Sequence, residues 1–235
     1  MYKLNLILLF LLSFTFSNSQ ENLDIDFYDE NEKINVFAFV GEIISIEEFD
    51  PNASKEEKTE IDSLTGDITI HKNPTVMDRA FKLKYKVLKN LYNNLKTDTI
   101  EFFAYDHYGI PSFSEFKNVI LYISKSQNGN YYFHQKYQYN EFYKSKNNEW
   151  VGLLNFGSIS RIESASKLNL KKIKLNKAAN IDLKGYSKSG IELLYPKPFY
   201  KIKGDVAIPK LGISIKDLID YKVKSILENN SVLLK

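Results

Sequence analysis

Apolar and polar residues alternate over several short stretches of the chain, a pattern typical of β-strands that bury one face. In the clearest stretch, Ala80–Leu88, four apolar residues alternate with three lysines: Phe81, Lys82, Leu83, Lys84, Tyr85, Lys86 and Val87. Period-2 alternation places the apolar side chains on one face of a strand and the lysines in water. Burying each apolar side chain contributes about 1.5–3 kcal/mol, which fixes the register of the strand.

Five stretches of this kind predict five strands in the N-terminal part of the chain. They are Val36–Ile46, Ala80–Leu88, Asp98–Tyr105, Val119–Ser124 and Tyr131–Tyr139. Asn128-Gly129 lies between the last two and is typical of a tight hairpin turn. The number and order of the strands predict a mainly β fold built on a five-stranded OB-like barrel.

The C-terminal extension that follows the barrel is predicted to end in an α-helix over residues 214–228. Ser214 is the expected helix cap, and Asp217 lies near the positive end of the helix. Apolar residues recur at the spacing of one buried helical face; they are Ile215, Leu218, Ile219, Val223, Ile226 and Leu227.

The remaining segments have weaker patterns. Glu47–Gly66 is a long charged loop, and Asp67–His71 fits a short strand. Trp150–Ile162 has room for one short strand, and Leu168–Leu175 fits a strand or a basic helical turn. Ile191–Tyr200 contains two prolines and is expected to be an edge segment, because proline donates no hydrogen bond to a sheet.

The N-terminal residues have the three parts of a secretory signal peptide. A positive residue, Lys3, is followed by an apolar run, Leu4–Phe16, and by small residues before a cleavage point, Ser17–Ser19. The apolar run has 13 residues, whereas a helix needs about 20 to cross the bilayer core. We therefore expect cleavage before Gln20, no membrane span in the mature chain, and a periplasmic or secreted location.

The chain contains no cysteine, so it must fold without disulfides, and a chain of this length buries enough surface to do so. A cysteine-free exported chain of this size suggests a bacterial envelope or extracellular setting. We expect a signal peptide at 1–19, an acidic N-terminal segment at 20–33, the OB-like domain at 34–140 and the extension at 141–235.

Charge is distributed unevenly along the chain. Residues 20–120 contain 20 acidic and 11 basic side chains, whereas residues 121–235 contain 9 acidic and 20 basic ones. The basic half could form a binding face. Alternatively, the two halves could attract each other within one fold, or both could simply be solvated. Strand alternation already accounts for many of the lysines, which favours these alternatives over a binding face.

The strand sequences resemble those of a known family. Phe39–Ile46 resembles the opening strand of the netrin-like domains, which include the tissue inhibitors of metalloproteinases. Phe81–Leu91, Asp98–Ile100 and Ile120–Ile123 resemble the next three strands of that family. The resemblance covers residues 34–140 and implies an OB-type fold and extracellular protein binding.

This chain departs from the family at one functional feature. The inhibitors of that family chelate the protease zinc through the amine and carbonyl of an N-terminal cysteine, but this chain has no cysteine. The chelating mechanism and the disulfides of the family are therefore not carried over. The resemblance implies a fold and a mode of action, and it assigns no site residue.

The histidines, His71, His107 and His134, are the first candidates for catalysis or metal binding. They match no metal or catalytic motif, so we expect no metal and no cofactor. Asp106 and His107 follow a predicted strand and are candidate ligand-binding residues; the alternative is an ordinary polar loop. His134 lies opposite to Tyr131 in the strand period and is expected to meet solvent.

Aromatic residues are concentrated around the last predicted strand of the barrel. Tyr131, Phe133, Tyr137 and Tyr139 are expected to share one face, with Trp150 nearby. Such residues form stacking platforms for sugars or bases in OB-type barrels, so these five are candidate ligand-binding residues. The alternative is that the row belongs to the barrel core. Nucleic acid is not expected, because the chain is exported and has only two arginines.

Together these patterns favour an exported, non-enzymatic binding module whose partner is an extracellular or envelope protein or a glycan. No sequence pattern indicates an oligomeric state. Two alternatives remain open. One is an extracellular hydrolase or metal-dependent enzyme, in which scattered histidine and acidic side chains would converge. The other is a hydrolase inhibitor that uses the rim of the barrel without a chelating terminus.

Overall fold

The computed structural model describes residues 23–53, 58–61, 68–71, 76–153 and 168–229. Within these ranges it contains fourteen β-strands and two α-helices, so the protein is mainly β, as predicted. The expected signal peptide at 1–19 lies outside the described residues. Neither of the described helices is long and apolar enough to cross a membrane.

The strands are numbered in chain order. They are β1 (Phe37–Phe49), β2 (Lys58–Ile61), β3 (Ile68–His71), β4 (Arg79–Tyr92), β5 (Thr99–Asp106), β6 (Asn118–Lys125), β7 (Tyr132–Asn140), β8 (Phe142–Lys144), β9 (Trp150–Gly152), β10 (Lys171–Lys172), β11 (Ile181–Asp182), β12 (Tyr200–Ile202), β13 (Val206–Pro209) and β14 (Leu211–Ser214). The helices are α1 (Lys188–Leu194) and α2 (Ile215–Asn229).

Five of these strands form one sheet that closes on itself in a ring, in the order β1-β4-β5-β7-β6. Strand β6 closes the ring by pairing with β1, from Ile123 opposite Phe37 to Asn118 opposite Glu42. Neighbouring strands are antiparallel except β5 and β7, which run parallel. All five strands predicted from the alternating pattern are confirmed, and β1 and β4 extend beyond their predicted ends.

The interior of the ring is filled by the apolar residues of the alternating pattern. Phe81, Leu83 and Tyr85 are buried there, together with residues from the other four strands. Lys82 on the opposite face is exposed, and its Nζ lies 3.2 Å from Oε2 of Glu101 on β5. The predicted division of β4 into an apolar inner face and a lysine-rich outer face is therefore confirmed.

A second apolar core covers the outside of the ring along β1 and β6. Ile120 and Tyr122 of β6 are fully buried in the cluster that includes α2, whereas Leu121 and Ile123 are buried in the ring interior. Helix α2 contributes most of the apolar face predicted from its spacing: Ile215, Leu218, Ile219, Val223 and Ile226. The wall formed by β1 and β6 is therefore buried on both of its faces.

Helix α2 begins as the sequence predicts. The Oγ of Ser214 accepts a 3.1 Å hydrogen bond from the N–H of Asp217 and donates a 2.7 Å hydrogen bond to Oδ2 of the same residue. These bonds satisfy a backbone donor that has no partner inside the helix and fix the position of the carboxylate. The predicted helix at 214–228 and the predicted cap are confirmed.

The rest of the extension forms two small sheets, with the strand orders β10-β14-β9-β8 and β11-β13-β12. The short strand predicted within Trp150–Ile162 is β9, and the strand alternative for Leu168–Leu175 is β10. The edge segment expected at Ile191–Tyr200 is wrong at residues 191–194, which belong to α1. Seven residues of α1 are too few to reveal a helical period in the sequence.

The charged loop expected after β1 also contains regular structure. Strands β2 and β3 pair there as an antiparallel hairpin, with Lys58 opposite His71 and Ile61 opposite Ile68. The short strand predicted at 67–71 is therefore confirmed as β3. Strand β2 is rich in charged residues, which give no apolar alternation from which to predict it.

The acidic N-terminal segment is tied to the rest of the fold. Ile25 is buried in the outer core. The side-chain Oδ1 of Asn93 accepts a 2.8 Å hydrogen bond from the backbone N–H of Asn31. Lys144 of β8 binds the carboxylate of Asp24 (Nζ–Oδ2, 2.9 Å). This ion pair joins an acidic residue of the N-terminal segment to a basic residue from the second half of the chain.

Candidate functional site

Strand β7 is interrupted by a bulge at residues 135–138. Two residues of β6 that are two positions apart pair with His134 and Tyr139, so β7 carries extra residues between these pairs. A 2.8 Å hydrogen bond between Nε2 of His134 and the carbonyl of Gln138 closes the bulge. Within it Tyr137 has φ of +63°, a left-handed conformation that is uncommon for a residue with a side chain.

The bulge breaks the predicted aromatic row. The ring of Tyr139 lies 6.0 Å from that of Phe113 and packs against the ring interior, whereas Tyr131 and Tyr137 are exposed. The expectation that these residues share one face with Phe133 is therefore wrong, because period-2 alternation does not continue through a bulge. For Tyr139, the alternative interpretation as part of the core applies.

Polar and aromatic side chains gather at the end of the ring where β4 begins and β5 ends. We call this group the ring-end cluster; it consists of Asp78, His107, Tyr108, Lys136 and Tyr137. The hydroxyl of Tyr137 accepts a 3.4 Å hydrogen bond from the backbone N–H of His107. The ammonium of Lys136 lies 5.2 Å from the centre of the Tyr137 ring. The structure thus brings together two predicted site residues, His107 and Tyr137.

Asp78 is the anionic centre of the ring-end cluster. Its Oδ2 accepts a 2.6 Å hydrogen bond from Nζ of Lys136, and its Oδ1 lies 3.4 Å from Nδ1 of His107. The hydrogen bond from Lys136 lowers the pKa of Asp78, and the same bond raises the pKa of Lys136. Asp78 is therefore a carboxylate at neutral pH and holds the two basic side chains in place.

The loop that follows β5 presents Tyr108 to solvent. Oδ1 of Asp106 accepts a 2.8 Å hydrogen bond from the N–H of Tyr108, which stabilises a tight turn. Tyr108 is 87% exposed, and its ring centre lies 6.0 Å from that of Tyr137 and 5.5 Å from that of His107. Asp106, a predicted site residue, therefore positions the loop that carries Tyr108.

Two further apolar side chains beside the cluster, Met77 and Ile110, are exposed. Met77 directly precedes Asp78, and Ile110 follows Tyr108 by two positions, so both flank the ring-end cluster. Exposed apolar side chains around a few fixed polar groups are typical of a binding surface.

Tyr131 and Phe133 belong to a different surface, on the outside of the ring. The ring of Tyr131 makes an edge contact with that of Phe103 at 5.5 Å, and Phe103 makes a similar contact with Phe49 at 5.5 Å. Phe133 lies opposite Phe103 in the parallel ladder of β5 and β7. These two predicted site residues are therefore part of an aromatic strip and not of the ring-end cluster.

Trp150 lies in β9 of the extension and is not part of the ring-end cluster. Its indole N–H donates a 2.6 Å hydrogen bond to Oδ1 of Asp24. Its ring centre lies 5.3 Å from that of Phe142 and 5.5 Å from Nζ of Lys144. These contacts connect the N-terminal segment to the small sheet that contains β9.

His134 is buried inside the ring, which corrects the expectation that it meets solvent. It lies on the face opposite to Tyr131, as the alternation predicts, but that face is the interior. Its ring centre is 4.4 Å from that of Phe113 and 6.3 Å from that of Phe102. Burial lowers the pKa of His134 to about 4. The side chain of His71 lies outside the described residues.

Within the described ranges, no group of three or more histidine, aspartate or glutamate side chains is placed to hold a metal ion. The pair best suited to catalysis is His107 and Asp78, because a carboxylate beside Nδ1 orients an imidazole. The same carboxylate is bound more closely by Lys136. Its main effect is therefore to anchor the cluster.

Sequence patterns do not identify Asp78, Tyr108 or Lys136 as site residues. Asp78 and Lys136 are 58 positions apart and meet only because the ring brings β4 close to β7. Tyr108 lies in the same loop as Asp106 and His107. Of Asp78, Lys136 and Tyr108, Tyr108 is therefore the one that the sequence could have indicated.

Comparison with known proteins gives no family assignment. No family model matches the chain, and no match was found among curated proteins or solved structures. The function is therefore inferred from the geometry of the site.

Proposed function

We propose that this chain is exported and acts outside the cytoplasm as a non-enzymatic binding module for a protein or a glycan. The ring-end cluster is the proposed binding site. The observation that carries the proposal is the exposure of Tyr108 and Tyr137 beside a fixed set of polar groups at one end of the ring. The apolar run and cleavage pattern at the N-terminus support export.

The ring is proposed to be a barrel of the OB type, as the resemblance to netrin-like domains also implies. A five-stranded closed order with one parallel pairing among antiparallel neighbours supports this assignment. OB-type barrels bind oligosaccharides and oligonucleotides with their loops and an exposed strand face. The ring-end cluster lies where the loop after β5 meets the bulge of β7. This position agrees with ligand binding by the loops of an OB-type barrel.

The cluster offers two kinds of contact to a ligand. The rings of Tyr108 and Tyr137 offer apolar faces, and Asp78, His107 and Lys136 offer hydrogen bonds and charge. Because Asp78 holds the two basic side chains, little side-chain entropy is lost when a ligand binds. The left-handed conformation of Tyr137 costs on the order of 1–3 kcal/mol, and such strain concentrates at functional sites.

One observation favours a second function, hydrolysis. The 3.4 Å contact between Nδ1 of His107 and Oδ1 of Asp78 is an arrangement that general acid–base catalysts use. Binding is the first proposal because Lys136 holds the other oxygen of that carboxylate and because the neighbouring tyrosines are exposed. Hydrolase inhibition is a special case of protein binding, in which the partner is itself a hydrolase.

The proposal is tested with the mature chain, residues 20–235, on a glycan array and in pull-downs from envelope and culture fractions. Replacing both Tyr108 and Tyr137 with alanine should weaken binding of the captured ligand by at least about tenfold, the effect of losing aromatic anchors. Tyr28→Ala is the matched control, because Tyr28 is 43% exposed and Tyr137 is 42% exposed, but Tyr28 lies in the N-terminal segment. Equal losses in both variants would contradict the proposed site.

Substitution of His107 separates binding from catalysis. A binding module should keep most of its affinity in His107→Gln and should not turn over glycan or peptide substrates. Hydrolysis by the wild-type chain that His107→Gln abolishes would replace the binding proposal with an enzymatic one. Capture of a hydrolase that loses activity in the complex would identify the chain as an inhibitor.

A further inference from the structure

The extension carries a large excess of positive charge. Residues 168–214 contain ten lysines and three carboxylates, Asp182, Glu192 and Asp205. All ten lysines are exposed; they are Lys171, Lys172, Lys174, Lys177, Lys184, Lys188, Lys197, Lys201, Lys203 and Lys210. We call this part of the molecule the basic surface.

Some cations elsewhere on the molecule are paired with carboxylates. On the ring, Arg79 pairs with Glu48, and Lys82 pairs with Glu101. No ion pair between described residues involves any of the ten lysines of the basic surface. An uncompensated field of one sign attracts an anionic partner from outside the molecule.

The fold brings lysines from separate segments onto neighbouring strands. Lys171 and Lys172 form β10, which pairs with β14. The backbone of Lys210 is bonded on both sides: its N–H donates to the carbonyl of Phe199 (2.7 Å), and its carbonyl accepts from the N–H of Ile173 (3.0 Å). Lysines of β10 and those beside Phe199 therefore flank Lys210.

Apolar side chains are exposed within the same region. Leu193 of α1, Ile202 of β12 and Tyr186 are all exposed. Ile202 and Tyr186 lie within two positions of a lysine, and Leu193 lies within five. Lysine stems and tyrosine rings favour the boundary between water and lipid, where the charged head stays in water and the apolar part enters the bilayer. The mixture of cationic and apolar exposure is typical of a surface that rests on a membrane.

We propose that the basic surface docks the protein onto the anionic phospholipid surface of a membrane. All ten cations are lysines, and lysine acts as a point charge for diffuse attraction, whereas bidentate recognition of individual phosphates uses arginine. Each lysine close to an anionic bilayer strengthens binding roughly fivefold, so several together hold a protein there at moderate salt. The ring-end cluster belongs to the ring and not to the basic surface, so this docking is separate from the proposed binding site.

The experiment uses the mature chain and vesicles of defined composition. One set contains phosphatidylcholine with about one third phosphatidylglycerol, and the other contains phosphatidylcholine alone. Co-sedimentation is measured at low and high NaCl. We expect binding to the anionic vesicles at low salt, at least tenfold weaker binding at high salt, and no binding to the neutral vesicles.

Two charge-reversal variants separate a local surface from net charge. The first replaces lysines of the basic surface with glutamate: Lys171, Lys172, Lys201 and Lys203. The second makes the same change at exposed lysines outside it: Lys33, Lys86, Lys96 and Lys117. The net charge of the two variants is equal. The first should bind anionic vesicles at least tenfold more weakly than the wild type, and the second should lose less than threefold.

Three results would overturn the proposal. They are failure to bind anionic vesicles at low salt, equal losses in the two variants, and tighter binding of single-stranded DNA or of polyglutamate than of the vesicles. The last result would assign the basic surface to a nucleic acid or to an acidic protein. Glutamine replacements at the same four lysines provide a second test if the glutamate variant does not fold, as judged by circular dichroism.

Discussion

The indole N–H of Trp150 donates a 2.6 Å hydrogen bond to Oδ1 of Asp24, a residue 126 positions earlier in the chain. Nζ of Lys144 binds the same carboxylate at 2.9 and 3.0 Å. A single carboxylate thereby joins the N-terminal segment to strands β8 and β9. Trp150 is the only tryptophan of the chain, so its fluorescence reports directly on this junction.

Replacing Asp24 with alanine should shift the emission of Trp150 to longer wavelength, because the indole loses its acceptor and gains contact with water. The hydrogen bonds from Lys144 and Trp150 lower the pKa of Asp24. The junction should therefore persist as the pH falls through the ordinary carboxyl value of about 3.9, and weaken only below it. Asp26→Ala, two positions away and exposed, is the control and should leave the emission unchanged.

Two buried tyrosines should respond with opposite sign to the loss of a hydroxyl. The Oη of Tyr85 has no hydrogen-bond partner among the described residues, whereas that of Tyr122 donates to Oδ1 of Asn140 at 3.2 Å. Tyr85→Phe should raise the free energy of unfolding by about 1 kcal/mol, because it removes an unsatisfied buried hydroxyl. Tyr122→Phe should lower it by about 1–3 kcal/mol, because Asn140 loses its donor.

Urea titrations of the two tyrosine variants at neutral pH measure both effects. Destabilisation by Tyr85→Phe would show that the hydroxyl of Tyr85 has a partner that stabilises the native state. Unchanged stability in Tyr122→Phe would show that the bond to Asn140 contributes little.

His134 should make the protein less stable as the pH falls from 7.5 to 5.5. Burial lowers its pKa in the folded protein to about 4, whereas in the unfolded chain it is about 6.5. The unfolded chain therefore binds more protons in this interval, and the free energy of unfolding should fall by about 1.5 kcal/mol. Denaturant midpoints at the two pH values test this in the wild type and in His134→Gln, which should lose most of the difference.

The matched control for that experiment is His107→Gln, because His107 is exposed in the ring-end cluster. This variant should keep the pH dependence of the wild type. A pH dependence that survives in His134→Gln and disappears in His107→Gln would assign the effect to the ring-end cluster instead.

Gly152 should not tolerate a side chain. A methyl group at this position of β9 would overlap Cδ2 of Leu218 in α2. Gly152→Ala should therefore lower the free energy of unfolding by about 1–3 kcal/mol, the cost of overpacking a core. Combining it with Leu218→Ala makes room for the methyl group, so the double variant should be more stable than the sum of the single effects predicts. Additive effects, measured in urea, would contradict this contact.

The ring strands could be predicted because each of them has one face in a single apolar interior. In β4, Leu83 and Tyr85 are inside and Lys82 is outside, so the period of two appears directly in the sequence. In β6 the pattern is a continuous apolar run, because Ile120 and Tyr122 meet the outer core while Leu121 meets the inner one. A run of this kind indicates a buried strand but not the second layer that covers it.

The candidate site was harder to predict than the strands. Asp106 and His107 could be selected because they follow a strand, and loops carry function. The predicted aromatic row is wrong because the bulge before Tyr139 reverses the alternation, and no proline or glycine marks the bulge in the sequence. Asp78 and Lys136 meet only through closure of the ring, a long-range contact that strand patterns do not encode.

The wall that β1 and β6 share between two apolar cores makes the chain hard to divide. A fragment that stops at residue 140 would expose the outward-facing side chains of Ile120 and Tyr122 to solvent, and such a fragment should aggregate. The ring ends with β7, but the chain cannot be truncated there without losing the residues that cover the outer core. Work on the ring needs the extension present, and the two should unfold together.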